Sequence, residues 1–300
     1  MLRRLASPSI SSIGKRALST TPISKSSSEI TVKEQRPYVY NVKLNRPAKL
    51  NTFTMEMWRE FKKVIDGLAE DPKCRSIIVS GEGKSFCAGI DLAAGLSDII
   101  RVIQDDSMEI GRKGRAVRRF IGEIQDCFTA LEKCPKPIIA AVHSHCLGAG
   151  IDLITACDIR IATQDANFSI REVDIGLAAD IGTLNRIQKV VGNDSWTREV
   201  ALTARDFGAD EAHRYGLISR IVDDRHSLNE KSIELAARIA EKSPIAVQGT
   251  KETLNYARDH STDDSLNFIR TWNMSQLLST DLMNSTMAAM NKKKATYEDV

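Results

Sequence analysis

Hydrophobic and polar positions alternate over "YVYNVKLN" (38–45), and the residues there are good strand formers, so the stretch predicts a β-strand; "NRPAKLN" behind it is a turn. From Thr54 the period changes. Phe61, Val64, Ile65 and Leu68 fall at i, i+3, i+4 and i+7 with Glu56 in the first turn, which predicts an amphipathic helix. "SIIVSG" (76–81) and "PIIAAVH" (137–143) are short apolar runs of the kind that form strands buried on both faces. Between them, "AVRRFIGEIQDCFTALEKC" (116–134) has helical periodicity and is stopped by "PKP", whereas residues 93–113 are weakly patterned and are expected to form a flexible loop. "SHCLGAG" turns into a helix running through Asp152. "DIRIAT" (158–163) and "NFSI" (167–170) predict two more strands, and "GLISRIV" (216–222) a last one among helices.

Strands alternating with helices argue an α/β core of the βαβ type. The stretches "SPIAVQGTKETLNYARDH" and "DDSLNFIRTWNMSQLLSTDLMNSTMAAMNKKK" near the end look like a helical appendage. It holds more apolar residues than a lone hairpin can cover, so it is expected to pack on the core or on another subunit. No internal repeat is visible.

Composition narrows the function class. Three hundred residues suffice for one large domain or two, and 42% hydrophobic with 27% charged residues is ordinary for a globular protein. A net charge of +3 lacks the basic stripe of a dedicated nucleic-acid binder, and no apolar run approaches the roughly 18–20 residues needed to span a bilayer. Part of the positive charge sits in residues 1–28, which hold Arg3, Arg4, Lys15, Arg16 and Lys25, many Ser and Thr, and no acid. Leu2, Leu5, Ile10 and Ile13 can share one helix face there. This is the pattern of a mitochondrial transit peptide, placing the protein in the matrix, with a plain disordered tail as the blander alternative. The final "ATYEDV" carries no peroxisomal Ser-Lys-Leu address. Cys74, Cys87, Cys127, Cys134, Cys146 and Cys157 form no CxxC pair, so they are expected as free, mostly buried thiols and no metal site is expected.

Two glycine loops invite nucleotide readings that fail on spacing. "GAG" (148–150) is followed by Leu153 where a dinucleotide fingerprint needs Gly, and "GEGKS" (81–85) has Ile78 where a Walker loop needs Gly. Their physical content survives, because each glycine turn leads toward a helix start and presents backbone N–H groups; two such turns face to face would make an oxyanion hole. His143 and His145 lack acid partners at metal-ligand spacing and are expected to make turn hydrogen bonds, and Lys292–Lys294 to be a solvated helix end. Three acids then stand out in apolar surroundings: Asp152 in "GAGIDLITACDIR", and Glu172 and Asp180 in "SIREVDIGLAADIGT". Carboxylates are costly to bury, so apolar segments usually avoid them. Taken singly, Asp152 reads as the partner of an Arg or Lys and Asp180 as a helix N-cap before Ile181. Taken together with the two N–H-presenting loops, they point to acid–base chemistry.

The segments "LNRPAKLNTF", "SFCAGIDL", "CPKPIIAAVHSHCLGAGIDLITACDIRIAT" and "GLAADIGTLNRI" follow in the order and spacing of the enoyl-CoA hydratase/isomerase (crotonase) superfamily, which the chain resembles over about residues 36–292. The resemblance implies a spiral of ββα units over 36–225, a C-terminal helical trimerisation region over 226–300, and trimers commonly paired into hexamers. It also implies an acyl-CoA thioester as substrate with no cofactor beyond the CoA it carries. The thioester oxygen would lie between the N–H groups of Ile90 and Ala149, the latter a Gly in many relatives. Ala88 and Gly148 would line the substrate, and Lys49 and Leu50 would meet the adenine end of CoA.

Hydratases of the family have Glu at the positions of Asp152 and Glu172 and usually Gly at that of Asp180. The Asp/Glu/Asp set here is similar to the branch that turns 3,5-dienoyl-CoA into 2,4-dienoyl-CoA in fatty-acid β-oxidation. Such a reaction moves a proton from C2 to C6 without adding water. Glu172 would serve C2, Asp180 C6, and Asp152 would tune its neighbours. A 2-enoyl-CoA hydratase, a non-catalytic or RNA-binding member of the fold, and a non-enzymatic acyl-CoA binding protein are the competing readings.

Overall fold

The computed structural model describes residues 28–300, so the basic targeting segment expected over 1–28 lies outside the described residues except for its last position. The chain opens with a hairpin of β1 (Ile30–Arg36) and β2 (Val39–Leu44), turned at Tyr38 with φ 70°. Helix α1 (Met55–Glu70) follows. Thr54 caps it, its hydroxyl accepting the Met57 N–H at 3.1 Å, and Trp58, Phe61, Ile65 and Leu68 form its buried face. Next come β3 (Ser76–Gly81), α2 (Ser97–Gln104), α3 (Ile110–Lys133), β4 (Ile138–Val142), β5 (His145–Leu147) and α4 (Ala149–Ala156). They are followed by β6 (Ile159–Thr163), β7 (Asn167–Ser169), α5 (Thr183–Val191), α6 (Asp194–Thr203), β8 (Phe207–Gly208), α7 (Ala209–Arg214) and β9 (Arg220–Val222). Four helices close the chain: α8 (Arg225–Ala240), α9 (Pro244–Ala257), α10 (Thr262–Gln276) and α11 (Thr280–Met290).

The main sheet has the order β1-β2-β3-β4-β6-β9, with every pair after β1–β2 parallel. Each new strand joins on the same side of the last, so the backbone advances as a spiral. The strands missing from that order, β5, β7 and β8, build a second small sheet. The units β4-β5-α4 and β6-β7-α5 are therefore repeats of one ββα turn.

Alternation along the buried strands sorts side chains to two cores. Ile77, Val79, Ile138 and Ala140 face the large core with α1, α3 and α4, where Phe53 stacks on Trp58 at 5.4 Å and meets the edge of Phe128 at 5.4 Å. Ile78, Ile139, Ala141 and Ile161 face the other way and are covered by Leu228, Ala236 and Ala240 of α8. Helices α9–α11 leave large apolar side chains in solvent, among them Leu254, Met274, Met283 and Met290, as does the turn between the last two through Leu278.

The segment 93–113, expected as a loop, contains α2 and the first residues of α3. Its pattern is weak because α2 buries only Ile99 fully, while Ile100 and Ile103 stay exposed. Helix α3 starts before the apolar periodicity does because Glu109 caps it, accepting the N–H groups of Gly111 and Arg112 at 2.9 and 3.2 Å. "SHCLGAG" likewise hides β5, paired with β7 from His145↔Asn167 to Leu147↔Ser169. "GLISRIV" yields a strand only at its last three residues.

Candidate active site

Two backbone segments form the floor of the site. Cys87 and Cys146 face each other in an isolated parallel bridge, with the Cys87 N–H on the His145 carbonyl at 3.0 Å and the Leu147 N–H on the Cys87 carbonyl at 2.9 Å. Ile90 pairs with Phe53 in a second bridge whose bonds run through the neighbouring units: Phe53 N–H to Gly89 O and Asp91 N–H to Phe53 O, both 2.9 Å. Alternation in a strand leaves the N–H of Ile90 itself pointing away from Phe53. Ala149 is the first residue of α4, where an N–H has no partner within its own helix. Among the described residues neither N–H has a protein acceptor.

Glycines stand where the segments touch. Gly148 sits at φ 49° and ψ −117°, and a Cβ there would stand 3.4 Å from Oε1 of Glu172. A Cβ on Gly150 would lie 3.1 Å from the Cys87 carbonyl oxygen.

Above this floor lies a cavity of about 330 Å³ lined by Ala88, Ile90, Gly148, Ala149, Glu172 and Asp180 together with an apolar wall. The wall comes from α2 and α3 through Leu96, Ile99, Phe120, Ile121 and Ile124. Lys49 and Leu50 do not line the cavity. They form an exposed turn beside it, joined through the Ala88 N–H to the Leu50 carbonyl at 3.0 Å. Asn51, left-handed at φ 57° and fully buried, pins that turn by donating to the carbonyls of Glu82 and Ser85, both at 2.8 Å. No motif singled Asn51 out, although an Asn behind "RPAKL" is a common left-handed turn residue.

The three acids occupy different depths. Glu172 opens a short 3-10 turn, Glu172–Ile175, and its Oε2 is buried without a hydrogen-bond partner among the described residues. Asp180 is half-buried, and its backbone carbonyl accepts from Nε2 of Gln125 on α3 at 2.6 Å. It caps nothing, because α5 begins at Thr183 behind Gly182. Asp152 lies fully buried on α4, outside the cavity lining. Among the described residues it has no Arg or Lys in salt-bridge contact; its Oδ1 accepts the Thr183 N–H at 2.6 Å and the Thr183 hydroxyl at 2.7 Å, and its Oδ2 has no partner. Sequence reasoning missed Thr183 and Gln125, since neither carries a signal until the fold brings it to its acid.

Burial sets the protonation of all three. It pushes Asp152 up to about 7, helped by the negative charge of Glu172 and opposed by the Thr183 hydrogen bonds. Burial raises Glu172 too, and the charge of Asp180 adds to the rise; Asp180 is raised by burial. An acid with a raised folded pKa favours the fold at low pH, and that contribution is lost as pH climbs through the folded value of about 7. Replacing Asp152 by Asn removes the buried anion. The melting temperature of Asp152→Asn relative to wild type is therefore expected to rise between pH 5 and pH 8, and a pH-independent difference in thermal melts would refute this titration. The histidines behave as turn residues: Nε2 of His143 lies 3.1 Å from the Gly83 carbonyl oxygen, and Nδ1 of His145 meets the Ser85 and Ser144 hydroxyls.

Comparison with known proteins agrees with this arrangement. The family model described as enoyl-CoA hydratase/isomerase matches residues 34–300. A rat protein named Delta(3,5)-Delta(2,4)-dienoyl-CoA isomerase, mitochondrial, is 48% identical over 88% of this chain and 80% of its own length. An Arabidopsis thaliana protein of the same name, peroxisomal, is 41% identical over 90% of this chain and 96% of its own. The crystal structure of an enoyl-CoA hydratase from Bacillus anthracis superposes with a TM-score of 0.80 at 28% identity, covering 90% of this chain and 99% of that one. Spiral sheet, paired backbone donors and a match over residues 34–300 lead to one assignment: the chain belongs to the enoyl-CoA hydratase/isomerase family.

Proposed function

We propose that this protein converts 3,5-dienoyl-CoA into 2,4-dienoyl-CoA in fatty-acid β-oxidation. The observation that carries the reading is the placement of two carboxyl groups, Glu172 and Asp180, in one apolar cavity whose floor holds two unfilled backbone donors. Glu172 as carboxylate takes the C2 proton, and the electron pair spreads through the diene onto the thioester oxygen between the N–H groups of Ile90 and Ala149. Asp180 as the neutral acid then delivers a proton to C6, and the double bonds settle at positions 2 and 4. The proton gained by Glu172 must return to Asp180 before the next turnover, and both residues are only partly buried. Burial brings both carboxyl groups nearer neutrality, where each can take up and release a proton. No water enters the product, which fits apolar walls. Lys49 and Leu50 meet the adenine end of CoA, and the only cofactor chemistry is that of the substrate's own CoA. Ultraviolet monitoring of a 3,5-dienoyl-CoA tests the reading, because the product conjugates with the thioester; hydrated product in place of a 2,4-diene would assign the protein to the hydratases.

The setting is the mitochondrial matrix, supported by the acid-free basic segment 1–28 and by the name of the rat relative. A reporter fused behind residues 1–28 is expected in mitochondria, and peroxisomal import of the full-length chain would contradict it. The chain also assembles as a trimer or hexamer through α9–α11, whose exposed Leu and Met side chains otherwise face water. Sedimentation at micromolar concentration is expected to give one of these two masses; a monomer would refute the assembly.

A further inference from the structure

We infer that Thr183 is a positioning residue, which fixes the carboxyl of Asp152 and so ties the helix that starts at Ala149 to the loop that carries Asp180. The inference rests on the reading of Asp152, Glu172 and Asp180 as the acid–base set. Thr183 is fully buried at the first turn of α5, and the residue before it is a glycine without a capping side chain. A side chain there would be strained, because Gly182 has φ 136° and a Cβ on it would also press on the guanidinium of Arg186. The cap of α5 is supplied instead by Asp152, from thirty-one residues away in the chain.

Both Thr183 donors end on the same oxygen, Oδ1, at 2.6 and 2.7 Å. Oδ2 stays buried and unpartnered, like Oε2 of Glu172. When Asp152 is protonated, Oδ1 is already filled by two donors, so the proton sits on Oδ2. Thr183 thus decides which oxygen carries it. The same contact pins the backbone three residues after Asp180, whose own carbonyl is held by Gln125. The loop bearing Asp180 is therefore anchored on one side to α3 and on the other to α4, whose first residue supplies one of the two free N–H groups.

Thr183→Val removes the hydroxyl and keeps both shape and backbone N–H. A helix cap made by the N–H alone survives it. A positioning role through the hydroxyl predicts that kcat falls about 10- to 100-fold at nearly constant KM, the scale of one buried hydrogen bond to a charged group. Thr183→Ser, which keeps the hydroxyl, is expected to stay within about threefold of wild type. The second readout is the Asp152 carboxyl followed by infrared titration of the unliganded protein, with Asp152→Asn identifying its band. The charged and titratable groups that act on or with Asp152 are Glu172, Arg186, Cys87 and Cys146, and none of them changes in the variant. Loss of a donor to the anion moves the Asp152 midpoint to higher pH in Thr183→Val. An unmoved midpoint, a Thr183→Val enzyme within about threefold of wild-type kcat, or a Thr183→Ser enzyme as slow as Thr183→Val would each overturn the inference. A Thr183→Val chain that does not fold assigns the hydroxyl to the fold and overturns it as well. Because the titration needs no substrate, a wild-type protein that leaves 3,5-dienoyl-CoA unchanged refutes the functional reading while the midpoint still decides the role of Thr183.

Discussion

Asp180→Asn is expected to lower kcat on 3,5-dienoyl-CoA by about 10²–10⁴-fold, the usual contribution of a general acid or base. Asn keeps the size and hydrogen-bonding capacity of Asp but cannot donate a titrating proton to C6. KM is expected to change little, because the turn at Lys49 and Leu50 that we assign to CoA lies outside the cavity lined by Asp180. Stability is also expected to hold. Asp180 is half-buried and makes no ion pair among the described residues, and the anchoring of the loop through Gln125 uses the backbone carbonyl of residue 180. Glu172→Gln is expected to lose a similar factor. The double variant is expected to be little worse than either single one, since both groups serve one coupled proton shift and such effects are far from additive. Steady-state kinetics beside thermal melts decide the matter. An Asp180→Asn enzyme that melts normally and turns over at near wild-type rate would sink the proposed mechanism.

The sequence makes some parts of this site legible and hides others for physical reasons. Regular burial leaves a period in α1, and burial on both faces leaves short apolar runs at 76–81 and 137–143, so these elements can be read from the sequence alone. The acids are conspicuous because a carboxylate in an apolar run has a cost that a core does not accept without reason. The glycine turn at 148–150 can be recognised as an N–H presenter, and Ala149 opens α4 there; the turn at 81–85 leads to no helix start, and the second donor, Ile90, lies beyond it in an extended bridge. The apolar wall of α2 was illegible because that helix shows only one face to α3 and the cavity, leaving too few buried positions in eight residues to set a period. Thr183 was illegible for another reason. Its partner is contributed by a different turn of the spiral, and single-sequence periodicity carries no information about which ββα units stack. Asp180 illustrates the ambiguity that remains in a motif. Asp before a helix reads equally as a cap or as an acid, and only the start of α5 at Thr183 separates the two.

Ala149→Pro is expected to separate the backbone donor from everything else at that position. Ala149 is the first residue of α4, the one helical position where proline is well tolerated, because its φ suits the helix and the missing N–H has no intrahelical partner to lose. The side chain of Ala149 is small and its N–H meets no protein acceptor, so the fold loses no hydrogen bond. What disappears is one of the two donors aimed at the developing thioester oxyanion. Removing such a donor typically costs about 10²–10³-fold in kcat, because in a dry cavity no water replaces it when the charge forms. The ring also replaces an N–H by a methylene at the cavity floor, so some rise in KM is expected alongside. Ala149→Gly, which keeps the N–H, provides the comparison and is expected to retain most of the activity, with a modest loss from the added freedom of glycine at a helix start. Circular dichroism and thermal melts establish that α4 still forms, and kcat then reads the donor alone. A folded Ala149→Pro enzyme with kcat close to that of wild type would remove the Ala149 N–H from the mechanism, and with it the argument that the paired backbone donors exist to hold an oxyanion.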